Sequence, residues 1–192
     1  MNGFALSRRA AALLGGSLFA LAFFAAIVGC GIGGEAARAS PSPRVSPTPT
    51  GGARDVSAAC RIHGPLLSGG FIGIDAFART GTTQDIASGR SVSNKPAYVL
   101  YGWGKDRVGS GPARGACLIV DGKVEDRATS LYGVSRPDVA KALDDPALDH
   151  SGYLIQVPAG TIAPGTRRIG VAVVSSDGSI AQSSVVRTIT FH

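Results

Sequence analysis

The pair Asp121-Gly122 stands between Leu118-Ile119-Val120 and Lys123-Val124, and no other feature constrains the fold of this chain more. A two-residue hairpin turn needs positive φ at its central residues, and Asp-Gly supplies that at little steric cost. A second pair, Asp177-Gly178, follows Ile169, Val171 and Val173, which alternate with smaller residues. A period of two sends successive side chains to opposite faces of a strand. Tyr98 to Trp103 is β-branched and aromatic, and the same period places Val99, Tyr101 and Trp103 on one face. Further strands are expected over Phe71–Phe77, over Tyr153–Val157 ahead of Pro158, and over Val185–Phe191.

One short helix interrupts this pattern. Ser135 reads as its N-cap, Pro137 lies in its first turn, and Asp138 stands three residues after Ser135 as in a capping box. Val139, Ala140, Ala142 and Leu143 give it a small apolar face, and Asp144-Asp145-Pro146 ends it. Short strands, turns rich in Gly and Pro, and a single inserted helix predict an all-β class: an antiparallel β-sandwich over residues 57–192.

The chain ahead of that domain has a different composition. Ala10 to Gly29 is a 20-residue run without a charged side chain, preceded by Arg8 and Arg9. As a helix it would reach roughly 30 Å, the thickness of a bilayer's hydrocarbon core. The two Arg before it favour export of the chain on its C-terminal side. Ile27-Val28-Gly29-Cys30 has the form of a lipobox, with Cys30 the lipidated residue. The run is longer than the apolar core of a removable signal, which suits an uncleaved membrane helix. Ala37-Arg38-Ala39 has the form of an ordinary cleavage site. Residues 1–30 are thus a signal peptide or membrane anchor, with lipid anchor, membrane helix and free secretion all open. Each puts the remainder on the extracytoplasmic face of the cell membrane.

Residues 31–56 read as a linker. Within it Pro41, Pro43, Pro47 and Pro49 hold φ near −65° and remove backbone donors, so residues 40–54 favour extended polyproline II. Such a stretch spans roughly 45 Å at about 3.1 Å per residue and would hold a domain off a membrane.

The net charge is +6, but it is scattered. Beyond Arg8-Arg9 the one adjacent basic pair is Arg167-Arg168, so the dense basic stripe of a nucleic-acid-binding domain is missing. Nucleic acid is therefore not an expected partner. The expected partners are the membrane, through lipid or a single helix, and an envelope protein or glycan.

Few residues announce chemistry. With Cys30 taken by lipid, Cys60 and Cys117 remain, and in an exported protein a pair most simply forms a disulfide. The alternative is a nucleophilic thiol at Cys60, with His63 three residues away as base. There is no G-x-S-x-G elbow and no H-E-x-x-H helix. Gly102-x-Gly104 and Gly109-Ser110-Gly111 lack the Lys-Ser/Thr of a phosphate loop and read as turn glycines. Asp144, Asp145, Asp149 and His150 cluster, yet without the Asp/Asn-Gly spacing of a calcium loop they read as a solvated turn. No catalytic residue, metal site or cofactor is expected. Trp103, the single tryptophan, is expected to fill the core between two sheets, as a lone Trp on a strand commonly does. If it faces outward instead, Trp103 and Tyr101 are candidate ligand-stacking residues for a carbohydrate.

Gly102-Trp103, Ile119-Val120-Asp121-Gly122, Gly133-x-x-Arg136-Pro137-Asp138-Val139-Ala140, Ser151-Gly152-Tyr153 and Pro164-Gly165-Thr166 occur in this order along the chain. This succession resembles an Ig-like β-sandwich module that recurs in bacterial surface and membrane proteins. It covers about residues 70–192, with Arg-Pro-Asp-Val-Ala its most distinctive part. Gly104-Lys105-Asp106 departs from the usual Ala and Asp-Pro, and Arg167 replaces the His that comes after Pro-Gly-Thr. The resemblance implies an Ig-like fold and an envelope location, and it carries no catalytic residues. The function expected is a noncatalytic cell-envelope binding or spacer module. A carbohydrate-binding module and an envelope hydrolase or thiol enzyme are the alternatives.

Overall fold

A computed structural model describes residues 52–61 and 64–192; Cys30, the apolar run, residues 31–51 and His63 lie outside the described residues. The described chain is an all-β sandwich of two sheets with one short α-helix. In chain order the strands are β1 (Arg54–Asp55), β2 (Leu66–Ser68), β3 (Ile72–Arg79), β4 (Ser91–Val92), β5 (Tyr98–Gly104) and β6 (Gly115–Val120). They continue with β7 (Lys123–Val124), β8 (Thr129–Val134), helix α1 (Pro137–Ala142), β9 (Gly152–Val157), β10 (Gly165–Val174) and β11 (Ile180–Phe191). One sheet has the order β1-β8-β9-β5-β3, the other β2-β11-β10-β6-β7, with β4 also on β11. Single 3₁₀ turns cover Ser57–Arg61 and Pro146–His150.

Both Asp-Gly pairs make hairpins. Val120 pairs with Lys123, leaving Asp121 (φ 51°) and Gly122 (φ 78°) as a two-residue turn. The second turn is longer: Ser175 N–H donates to Ser179 O at 2.8 Å, and Gly178 takes φ 84°. Not every pairing is antiparallel, contrary to the expectation from the strand pattern. β2 and β4 run parallel to β11, covering the two ends of its otherwise free edge. Strands of two or three residues are enough for that, and they blunt an edge that would template pairing with another chain. Arg54–Asp55, inside the stretch expected to be linker, pairs with Tyr132 and Leu131 and so begins the sandwich.

Phe77, Leu100 and Ile155 from one sheet meet Leu118, Val171, Val173 and Ile189 from the other, all but fully buried. Phe77 stacks on Tyr98 at 5.0 Å between ring centroids, and Phe191 meets both edge-on. β6 does not alternate; Gly115 to Ile119 are buried on both faces. Its outer face is covered by the Ser57–Arg61 turn, whose Cys60 forms a disulfide with Cys117 at a Cα–Cα distance of 5.5 Å. The bridge removes the thiol on which a nucleophilic Cys60 would depend. At the α1 end, Asp106 is buried and accepts from Val108 N and Ser176 N, each at 3.0 Å. That carboxylate ties the β5–β6 loop to the Asp177-Gly178 turn.

Candidate functional site

β5 sorts its side chains cleanly. Tyr98, Leu100 and Gly102 are buried, while Val99, Tyr101 and Trp103 share the outer face and are partly exposed. The expectation that Trp103 fills the core is therefore corrected. Its reason lies in the neighbouring strands: Gly73 of β3 and Gly152 of β9 stand directly opposite Trp103 on either side. The indole lies over Gly73, where a Cβ would come within 2.2 Å of Nε1. Small neighbours provide a shelf for the ring on the outside, so burial between the sheets is unnecessary.

Gly152 serves a second side chain. A Cβ there would come within 2.9 Å of Arg136 Cγ, so the Arg136 stem lies across that strand. Arg136 immediately precedes α1. Its Nε and Nη2 donate to the two oxygens of Asp138 at 2.9 and 2.7 Å, and its Nη1 donates to Asp75 Oδ2 at 2.6 Å. Asp75 is brought there by a bulge in β3, where the register with β5 slips between Ile74 and Ala76. A bulge re-aims a side chain in this manner. A matching slip in β8 falls at Gly133, two residues before Ser135.

These irregularities frame a cavity of about 570 Å³ beside Tyr101, with Tyr153, Val134 and Pro137 as apolar walls and Asp75, Arg136 and Asp138 as polar ones. Tyr153 is buried and donates its hydroxyl to Gly73 O at 2.9 Å. The hydrogen bond from Arg136 holds the Asp138 carboxyl below its usual value, against a smaller opposing effect of burial. The same pair raises the Arg136 guanidinium above its usual range. Burial pushes the Tyr153 phenol far up. Around neutrality Asp138 stays ionised, Arg136 charged and Tyr153 neutral. The Arg136 side chain is 17% exposed while Asp138 is 66% exposed, so the cation is the anchored member and the carboxylate faces solvent.

The structure brings Tyr101 to this cavity, while Trp103 lies two residues along the same face over Gly73. Cys117 lies on β6 of the other sheet, bridged to Cys60 of the Ser57–Arg61 turn. The capping reading of Ser135 is overturned: the residue at the cap position is Arg136, which makes no side-chain capping bond, and Ser135 Oγ faces Asp149 at 3.4 Å. Asp138 is drawn to the guanidinium instead, since an ionised bidentate pair outweighs a neutral hydroxyl cap. Three of the four residues of the solvated turn make local contacts. Asp145 caps the Pro146–His150 turn through Ala147 N and pairs with Lys105 at 3.0 Å, while Asp149 faces His150. Asp75 is not visible in the sequence as a site residue, because a bulge is fixed by strand pairing and not by local pattern. No family model, curated protein or solved structure matches the chain.

Proposed function

We propose that this chain is a noncatalytic binding module of the cell envelope, displayed outside the cytoplasmic membrane, and that its ligand is a carbohydrate. One observation carries the reading: the Tyr101 ring and the Asp75–Arg136–Asp138 cluster share a single cavity. An aromatic face accepts the C–H side of a sugar ring, and oriented carboxylates accept its hydroxyls. The volume is within the roughly 300–1,000 Å³ of small-molecule sites. Arg136 fixes both carboxylates before any ligand arrives, which lowers the entropy lost on binding.

Binding fits this chemistry better than turnover. A hydrolase needs an acid or base poised near the working pH. Here Asp138 is held low and Tyr153 far above neutrality, so neither exchanges a proton there. Presentation at the envelope rests on the charge-free run, Cys30 and the Pro-rich stretch. The two-sheet architecture agrees with the Ig-like module that the Arg-Pro-Asp-Val-Ala succession resembles.

A glycan array probed with the full-length protein in detergent tests the reading. Signal on a defined glycan that is lost in Tyr101→Ala supports it; signal that survives Tyr101→Ala and Arg136→Gln alike overturns it. Labelling with a clickable fatty acid tests the anchor, and label that persists in Cys30→Ala removes the lipobox.

A further inference from the structure

A second pocket opens toward the other end of the same sheet, around the start of β5. The connection between β3 and β5 is long, yet it is stapled to β11: Gly89 N donates to Thr188 O at 2.6 Å, and Asn94 N to His192 O at 2.8 Å. Ile86 N returns to Phe77 O at 2.7 Å. Between this connection and the end of β3 lies a cavity of about 380 Å³. Arg79, Arg90, Gln84 and Asp85 give it polar walls, and Ile86, Val92 and Tyr98 an apolar side.

The charges there do not cancel. Asp85 is already held by Arg187 of β11 and by Phe77 N at 2.9 Å. Arg187 also donates to Ile86 O at 2.9 Å, so it is committed to the wall. Among the described residues, Arg79 and Arg90 enter no ion pair and no side-chain hydrogen bond through their guanidinium groups. The pocket therefore presents two unspent guanidinium groups on a scaffold fixed by backbone bonds. Guanidinium forks match carboxylate and phosphate oxygens bidentately, and clustered cations raise the local concentration of anions.

We infer that this pocket binds the acidic group of an anionic saccharide, with Arg79 and Arg90 as the paired donors. Gln84, in the same lining, can donate to and accept from sugar hydroxyls. Carboxylate is the expected acidic group, because its two oxygens match the fork of a guanidinium. The site is separate from the Tyr101 cavity, so either stands without the other.

Calorimetric titration of the full-length protein in detergent with trigalacturonate, galactotriose and inorganic phosphate tests this. Trigalacturonate should bind, weaken with rising salt, and lose at least tenfold in affinity in the double variant Arg79→Gln/Arg90→Gln. Both residues are exposed, so the variant should keep the wild-type circular dichroism and melting midpoint. Tyr101→Ala should leave trigalacturonate affinity unchanged, which separates this site from the carbohydrate cavity. Absence of trigalacturonate binding, or equal binding by wild type and double variant, overturns the inference. Phosphate or galactotriose binding as tightly as trigalacturonate overturns it too, since the site would then not read an acidic saccharide.

Discussion

The indole of Trp103 occupies the space that a side chain at Gly73 would need: a Cβ on Gly73 would fall 2.2 Å from Trp103 Nε1. The tryptophan is thus seated on the outside of the sheet by a glycine on the neighbouring strand. Gly73→Ala should lift the ring off its shelf. Overpacking of this kind commonly costs about 1–3 kcal/mol. Acrylamide should quench Trp103 appreciably in the wild type and more strongly in Gly73→Ala. A fully shielded wild-type tryptophan would contradict the outward placement.

Arg136 is the shared donor of two carboxylates, and its removal leaves both without their partner. Arg136→Gln should lower stability by about 1–3 kcal/mol, the range for charge-assisted hydrogen bonds in partly buried settings. Ser135→Ala should change it by less than about 0.5 kcal/mol, because Ser135 does not cap α1. Urea denaturation of both variants checks the pair. A Ser135→Ala loss as large as that of Arg136→Gln would restore the capping role.

How far the sequence foretells this arrangement depends on the range of the cause. The hairpin at Asp121-Gly122 and the strand over Tyr98–Trp103 are legible because turn chemistry and side-chain alternation are local. The Cys60–Cys117 bridge is legible from pairing arithmetic alone. Periodicity puts Val99, Tyr101 and Trp103 on one face but cannot say which face turns inward, since that choice rests on the glycines opposite. Asp75 is hidden for a related reason: its bulge exists only in the pairing of β3 with β5. The Ser135-x-x-Asp138 spacing misleads because Asp138 has a stronger partner two residues away.

The Cys60–Cys117 bridge closes a separation of 57 residues and clamps the Ser57–Arg61 turn onto β6. In the chain-entropy model such a loop contributes roughly 4 kcal/mol. Nonreducing mass spectrometry should find the two cysteines in one cross-linked peptide pair. The double variant Cys60→Ala/Cys117→Ala should unfold at lower denaturant by about that amount, with a smaller loss if the unbridged chain keeps residual structure. Two free thiols in the purified full-length protein would refute the bridge.

Asp106 contributes stability that acid removes. Burial opposes its ionisation, but hydrogen bonds from Ser176, Val108 N–H and Ser175 outweigh that and hold its pKa at about 2, against 3.8 for an unperturbed group. A carboxyl whose folded pKa lies below its unfolded one stabilises the fold above the unfolded value. It loses that contribution as pH falls through the folded one. The window is therefore about pH 4 down to about pH 2, and the contribution is about 2 kcal/mol. Asp106→Asn should be less stable than wild type at pH 7, since the N–H groups of Val108 and Ser176 lose an ionised acceptor. The deficit should narrow steadily as pH drops through that window. Melting midpoints of both proteins between pH 7 and pH 2 give the comparison, and parallel curves would show that the loop tie at Asp106 does not depend on its charge.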